Sequence, residues 1–122
     1  QNSNSAMFGK TIRSELQNIH ISNLMFRISQ IEYALGLPIS MWYGNEVTTS
    51  NYNEYNFLME PTAIYSLQTR LNQIIEYSNS EYNFRIDSLT VNENINRTID
   101  VNDIMLLRGI ILILQGAINN LQ

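Results

Sequence analysis

The residue types that carry most enzymatic chemistry are scarce in this chain. It has one histidine, His20, and no cysteine. A serine triad needs a histidine beside its nucleophile, and the chain contains no Gly-x-Ser-x-Gly turn. A single imidazole without thiolates also excludes His-rich and Cys-based zinc sites. We therefore predict that the chain is not an enzyme and holds no metal or cofactor, and we interpret His20 as a polar residue at a helix boundary.

Two short segments partly match known ligand-binding motifs. Phe8–Thr11 ends like a phosphate-binding loop, but Asn4 stands where that motif requires its first glycine. Asn92–Asp103 has the length and alternate spacing of a calcium loop, but Arg97 occupies the position of its glycine. Three neutral amides also supply too little negative charge for a hard cation. We interpret the second segment as a polar turn and assign a ligand to neither.

A segment between residues 36 and 60 is rich in aromatic side chains. Trp42, Tyr43 and Tyr52 lie there among Asn, Ser and Thr, together with the acids Glu46, Glu54 and Glu60. Aromatic side chains can stack on a sugar ring, although no pair of acids is singled out as a glycosidase pair. A small carbohydrate- or ligand-binding module is therefore an alternative function. In the other interpretation, these side chains pack the loop or contact another protein chain.

The composition favours contacts between protein chains. Charged residues make up 15% of the 122 residues, and 7 Lys and Arg face 11 Asp and Glu, so the net charge is −4. Nucleic acid is not expected as a partner, because its phosphates need a basic surface. Asn and Ile each occur 17 times, and a surface of neutral polar residues has little repulsion to keep copies apart. We expect assembly rather than a free monomer.

Three stretches have the spacing of amphipathic helices. Isoleucine or leucine recurs at alternating intervals of three and four residues, which places these side chains on one helical stripe. The stripes begin at Ile21, Ile64 and Ile104. The predicted helices cover about residues 21–36, 61–78 and 102–121.

Boundary residues support these helices to different degrees. Gly36 is a typical helix terminator and is followed by Pro38. Asp100 or Asn102 is expected to cap the third helix, since a short side-chain oxygen can accept the free amides of a first turn. The second helix is expected to fray through Ser78–Ser80.

The first two stripes agree beyond their apolar residues. At an offset of 43 residues, positions 21–31 and 64–74 share Ile, Leu, Arg, Gln and Ile, so 5 of 11 positions are identical. Arg27 and Arg70 belong to this match although they lie off the stripe. A helical repeat of this period is one explanation, and chance alignment of two amphipathic helices is the other.

These elements predict a mainly α fold, a three-helix repeat bundle formed by residues 8–122 as a single domain. The aromatic loop is expected to be ordered, with Trp42 packed against the bundle and a short strand near Glu46–Ser50. Residues 82–91 alternate in hydropathy and then slip by one position, which indicates a short strand with a bulge or an extended arm. Residues 1–7 are expected to be a disordered lead, a processed end or a cloning scar.

The third helix is apolar on more than one side. From Ile104 to Ile118, 11 of 15 residues are Ile, Leu, Met or Ala, and Gly109 and Gly116 lie seven residues apart. Such a helix must be covered on most of its sides, either as the central helix of the domain or at a self-association interface. Fifteen residues rise about 22 Å, short of the ~30 Å hydrocarbon thickness, and Arg108 interrupts the run. We therefore expect no membrane span.

The second helix carries a recognisable start. Pro61-Thr62-Ala63, with Leu67 and then Leu71-Asn72-Gln73-Ile74, resembles the Pro-Thr-x-Ala…Leu-Asn-x-Ile-Glu helix start of many bacteriophage virion proteins. These are tail, collar and appendage components, often with a tryptophan-containing loop before the motif, a part that Trp42 can play. The Ile21–Leu35 helix, with its Ile31-Glu32, looks like another copy. This chain departs from the pattern because the Leu-Asn pair comes one turn later and Ile75 precedes Glu76. The resemblance implies a non-enzymatic structural module that docks on symmetric neighbours.

We therefore expect a structural or assembly module of a phage particle, located in the virion. Its expected partners are copies of itself and neighbouring virion proteins. The residues expected to form the interface are Ile104, Leu107, Ile111, Leu114 and Ile118 of the third helix, with Trp42 and Tyr43 of the loop.

Overall fold

The computed structural model of the chain describes residues 20–42, 45–48, 61–91 and 101–121. The predicted fold class is confirmed: the described part is a mainly helical three-helix bundle with a short two-stranded sheet. The elements, in chain order, are α1 (Ile21–Ala34), β1 (Met41–Trp42), β2 (Asn45–Glu46), α2 (Pro61–Tyr82) and α3 (Val101–Asn119). The predicted lead at residues 1–7 lies outside the described residues.

The three predicted stripes meet in one core. Each helix contacts the other two, and no Ile or Leu of the stripes in the three helices is more than 7% exposed. The core is wider than the stripes, because Met25 and Ile75 are also fully buried. A closely packed interior of this kind makes truncation of any one stripe residue to Ala cost about 2–5 kcal/mol.

The end of α1 follows from Gly36. This residue has a φ of +77°, a left-handed conformation that glycine adopts without a steric penalty. The turn lets the Leu37 N–H donate to the Glu32 carbonyl at 2.9 Å and the Gly36 N–H donate to the Tyr33 carbonyl at 3.1 Å. These two bonds form a Schellman motif, which satisfies carbonyl groups at the helix end. The helix therefore ends at Ala34, two residues before the predicted boundary.

The second helix is longer than the sequence indicated. Fraying was predicted through Ser78–Ser80, but α2 continues to Tyr82. Ser78 occupies the next position of the core stripe and is fully buried, and Asn79 is bonded to a neighbouring segment. The helix ends where Asn83 adopts a left-handed φ of 58°, which asparagine tolerates better than most residues.

Residues 83–91 form an extended arm along α2, one of the two predicted arrangements. Two side chains of α2 hold the backbone of the arm, and each of them both donates and accepts a hydrogen bond. The Asn79 amide bonds both the N–H and the carbonyl of Ile86, at 3.2 and 3.0 Å, and Asn72 does the same to Leu89, at 2.7 and 2.9 Å. Seven helical residues rise about 10 Å, which matches three extended residues, so both asparagines reach the arm together.

A small hairpin closes one side of the bundle. Met41 pairs with Glu46 and Trp42 with Asn45 in an antiparallel register. The strand predicted near Glu46–Ser50 is instead Asn45–Glu46: it begins one residue earlier and ends at Glu46, and residues 49–50 lie outside the described part. Trp42 is 4% exposed and belongs to the core, as predicted for a residue that packs the loop against the bundle.

Candidate functional site

The residues predicted to contact neighbouring chains are buried inside this one. Five of them lie on the core side of α3 at 0–7% exposure: Ile104, Leu107, Ile111, Leu114 and Ile118. Trp42 is likewise buried, and Tyr43 lies outside the described residues. The stripe of α3 therefore packs against α1 and α2 and is not available to another chain. This corrects the expected interface, because a heptad of Ile and Leu serves intrachain packing equally well.

The opposite side of α3 is apolar and exposed. We call this surface the outer face, and it comprises Leu106, Gly109, Leu112, Ile113 and Gly116. The exposed fractions of its large side chains are 54% for Leu106, 60% for Leu112 and 53% for Ile113. At 100° per residue, these positions centre on the side of the helix directly opposite the buried stripe. The expectation that α3 is covered on most sides is thus not met within the described residues.

The outer face carries no charged side chain. Within Val101–Asn119 the charged residues are Asp103 and Arg108, and both are half-buried at the margin of the core side. The exposed residues that flank the outer face are the amides Asn102 and Asn119. Asn102, one of two predicted caps, lies inside the first turn, whereas Asp100 lies outside the described residues. A surface helix normally places its charges opposite the core, so α3 has an unusual pattern.

Polar contacts also join α3 to the first part of the bundle. The Arg27 guanidinium donates to the Gln115 amide oxygen at 3.0 Å, and Arg108 lies 3.4 Å from Nδ1 of His20. Burial lowers the pKa of Arg27. Burial, and then the nearby charge of Arg27, lowers the pKa of Arg108. These contacts join Arg108 and Gln115 of α3 to α1 and to the residue before it, in agreement with the rotation that buries the Ile and Leu stripe.

Trp42 belongs to a buried polar group and not to a sugar-binding surface. Its indole N–H donates to the Ser29 hydroxyl at 3.3 Å, and the Arg70 guanidinium lies 5.0 Å from the ring centroid. Arg70 also pairs with Glu32 at 3.5 Å, and the Ser40 hydroxyl donates to the same carboxylate. Because the indole faces are already covered, Trp42 cannot stack on a ligand. The predicted role of Trp42 in the alternative, carbohydrate-binding function is therefore wrong.

A hollow of about 320 Å³ lies between α1 and the hairpin. Phe26, Tyr33 and Ile39 supply its apolar wall, and Glu46 and Thr48 supply polar groups. Tyr33 is 74% exposed, so its ring is accessible beside the opening. The volume is at the lower end of the range for small-molecule sites.

The described residues contain no cluster of three or more His, Asp or Glu side chains placed to hold a metal ion. His20 precedes α1, at the helix boundary where the sequence placed it, with Arg108 as its neighbour.

The length and composition of α3 alone allow it to cross a membrane. The helix has 19 residues and a mean hydropathy of 1.7, so it rises about 28 Å, and the length argument based on 15 residues does not apply to it. One third of its apolar window is buried in the bundle. Core helices of soluble proteins can have the same length and hydropathy, so the absence of a span stays a prediction.

Comparison of the chain with protein-family models, with curated proteins and with solved structures gives no significant match. The outer face of α3 must therefore be interpreted from its own geometry.

The sequence did contain a signal for the outer face. Leu106, Leu112 and Ile113 occupy positions where an amphipathic helix is normally charged or polar. The regular stripe of Ile and Leu was the stronger pattern, and it marked the core. In a helix that is apolar on two sides, periodicity does not tell which side faces the same chain.

Proposed function

We propose that this chain is a non-enzymatic assembly module of a bacteriophage particle. It docks through the outer face of α3 on copies of itself or on neighbouring virion proteins. The exposed Leu106, Leu112 and Ile113 on an uncharged helix face are the observation that carries this proposal.

The energy available at the outer face is that of a moderate contact. Fully burying a Leu or Ile side chain gains about 1.5–3 kcal/mol. Because each of the three large side chains is a little more than half exposed, covering them gains about 1 kcal/mol each. A contribution of about 3 kcal/mol from one helix face is useful where a contact is repeated, because linked copies raise the effective concentration of each other.

The composition of the chain also supports association between copies. A net charge of −4 over 122 residues gives little long-range repulsion between copies. The outer face itself contributes no like charges that would oppose a neighbour. A helix face with apolar residues in its centre and amides at its margins has the arrangement of an interface core and rim.

The assignment to a phage particle rests on a different observation. It is supported by the resemblance of Pro61–Ile74 to the helix start of tail, collar and appendage proteins. In that setting the chain is located in the virion and its neighbours are other virion proteins.

Sedimentation velocity of the full chain tests the docking surface. We expect a concentration-dependent increase in the weight-average sedimentation coefficient, which Leu112→Asp abolishes without changing the helical circular dichroism spectrum. The matched control is Glu76→Ala, on an exposed position of α2, which leaves association unchanged. If Leu112→Asp associates like the wild type, the outer face is not the docking surface. Flotation of the wild type with phosphatidylcholine vesicles would instead assign the face to a membrane.

The hollow beside the hairpin favours a second candidate function, binding of a small ligand or sugar. Its accessible ring is Tyr33 and not Trp42. Binding on a glycan array that is abolished by Tyr33→Ala, with the fold intact, supports this function. An array without binding, or binding unchanged by Tyr33→Ala, removes it.

A further inference from the structure

We propose that the hollow between α1 and the hairpin binds a small organic cation, an ammonium group with apolar substituents. The inference rests on the second candidate function, ligand binding in this hollow, and adds the chemical class of the ligand. Three features of the described residues select this class. They are the aromatic rings that line the hollow, the charge of its polar side, and the end of α1 beside it.

Two aromatic rings of α1 line the hollow. Phe26 and Tyr33 are seven residues apart, so they lie on one side of the helix and about 10 Å apart along its axis. Tyr33 is 74% exposed, which leaves its ring accessible to a ligand. The face of an aromatic ring attracts a cation that lies within about 6 Å of the ring centre. A ligand between the two rings therefore gains from apolar surface and from a positive charge.

The polar side of the hollow is negative. Among the described residues that line it, Glu46 of β2 is the one charged side chain, and the other polar groups, Ser29, Gln30 and Thr48, are neutral. The same set of lining residues contains no Lys, Arg or His. An anionic ligand would meet Glu46 as a like charge, whereas a cation is attracted to it.

The arginines of the neighbouring elements make contacts elsewhere. Arg27 donates to Gln115 of α3 at 3.0 Å. Arg70 lies against the ring of Trp42 and pairs with Glu32 at 3.5 Å. Neither arginine lines the hollow. Their charges therefore do not cancel the negative charge of the hollow.

The end of α1 adds to this negative charge. Tyr33 belongs to the last turn of α1, which ends at Ala34. The C-terminal end of a helix carries about half of a negative elementary charge, and its effect is confined to the last turn. This turn contains no basic side chain that would neutralise it. The helix end and the carboxylate thus act in the same direction on a ligand in the hollow.

The volume of the hollow limits the size of the ligand. At about 30 Å³ per water molecule, 320 Å³ corresponds to about ten waters, so a ligand of about ten non-hydrogen atoms fits. A cation over an exposed ring and an exposed ion pair each raise affinity by at most about fivefold. We therefore expect a Kd of about 1–10 mM, with the cation bound at least about fivefold more tightly than a neutral ligand of the same shape.

Nuclear magnetic resonance titration of the full chain tests the preference for a cation. One probe is choline, and the other is its neutral carbon analogue, in which a tert-butyl group replaces the trimethylammonium group. We expect choline to shift the amide signals of Gln30 and Thr48, and the neutral analogue to bind at least about fivefold more weakly. Methyl glucoside is the third probe and represents a sugar.

Two variants locate the charge preference in the hollow. Glu46→Gln is expected to weaken choline binding about two- to fivefold, because it removes the carboxylate and keeps the size of the side chain. Tyr33→Leu keeps apolar surface without the ring and is expected to have an effect of similar size. The matched control is Glu76→Gln, on an exposed position of α2. It removes the same charge outside the hollow and leaves choline binding unchanged.

The outcomes separate this inference from ligand binding itself. Equal binding of choline and its neutral analogue, or binding of methyl glucoside without choline, overturns the cation preference, while the hollow remains a ligand site. Equal losses of choline binding in Glu46→Gln and Glu76→Gln also overturn it. Signals that do not shift with any of the three probes up to about 100 mM, ten times the expected Kd, overturn the inference and the second candidate function together. Circular dichroism of each variant confirms that the bundle is folded.

Discussion

Replacing Gly109 and Gly116 together with alanine is expected to stabilise the folded chain. Gly109 lies in the middle of α3 and Gly116 in its last turn, and both have open space around them. Alanine is favoured over glycine in a helix by about 1 kcal/mol. The double variant is therefore expected to raise the free energy of unfolding of the monomer by about 1–2 kcal/mol, with the larger part from Gly109.

Urea unfolding followed by circular dichroism at a few micromolar, far below the millimolar range of weak association, measures the free energy of unfolding of the monomer. Gly36→Ala is the control: its φ of +77° penalises any side chain, so this variant is expected to be less stable than the wild type. A double variant that is not stabilised shows that the glycines do not lie on an open helix face.

Three further predictions concern the bundle itself. Leu114→Asp places a charge in the core and is expected to unfold the chain or destabilise it by more than about 3 kcal/mol. Leu112→Asp, on the exposed side of α3, is expected to remain folded. Equal urea midpoints for the two variants would contradict the assignment of the two sides of α3. Asn72→Ala removes both bonds to Leu89 and leaves the Leu89 amide unpaired, at a cost of about 1–3 kcal/mol. Hydrogen exchange at Leu89 is expected to rise in this variant, with Asn72→Asp as the control that keeps the acceptor, and unchanged exchange argues against the arm contact. Trp42 is the chain's one tryptophan, so its fluorescence is expected to be blue-shifted and poorly quenched by acrylamide, and efficient quenching disproves its burial.

The helical architecture could be predicted from the sequence because it follows from a periodic pattern of apolar residues. Stripes of Ile and Leu at intervals of three and four residues predict three helices with one buried side each, and the same stripes form the core. Gly36 predicted the end of α1 because glycine readily adopts the left-handed conformation that ends a helix. Features with one local cause were the ones that residue types and spacing could predict.

Features that depend on tertiary contacts were predicted less well. The end of α2 was placed at Ser78 because Ser and Asn favour helix ends, but burial of Ser78 and the bonds of Asn79 extend the helix to Tyr82. Arg27 and Arg70 match in the sequence repeat, yet one bonds Gln115 and the other covers Trp42. Identical residues at equivalent positions thus meet different neighbours.

The sequence predicted an interface on the side of α3 that the structure buries. Both sides of α3 are apolar, and the choice between them depends on where α1 and α2 pack. The polar contacts of Arg27 with Gln115 and of Arg108 with His20 join residues 88 positions apart. No local pattern in the sequence reveals such pairs.

The most direct test of the account is the concentration dependence of methyl signals in nuclear magnetic resonance spectra of the 14.1 kDa chain. Between about 20 µM and about 1 mM, a range that covers weak association, the methyl signals of Leu106, Leu112 and Ile113 are expected to shift together. Those of Ile104 and Ile111 on the buried side are expected to stay fixed. Signals of the outer face that do not change up to about 1 mM, or shifts confined to the hairpin around Met41, would contradict assembly through α3.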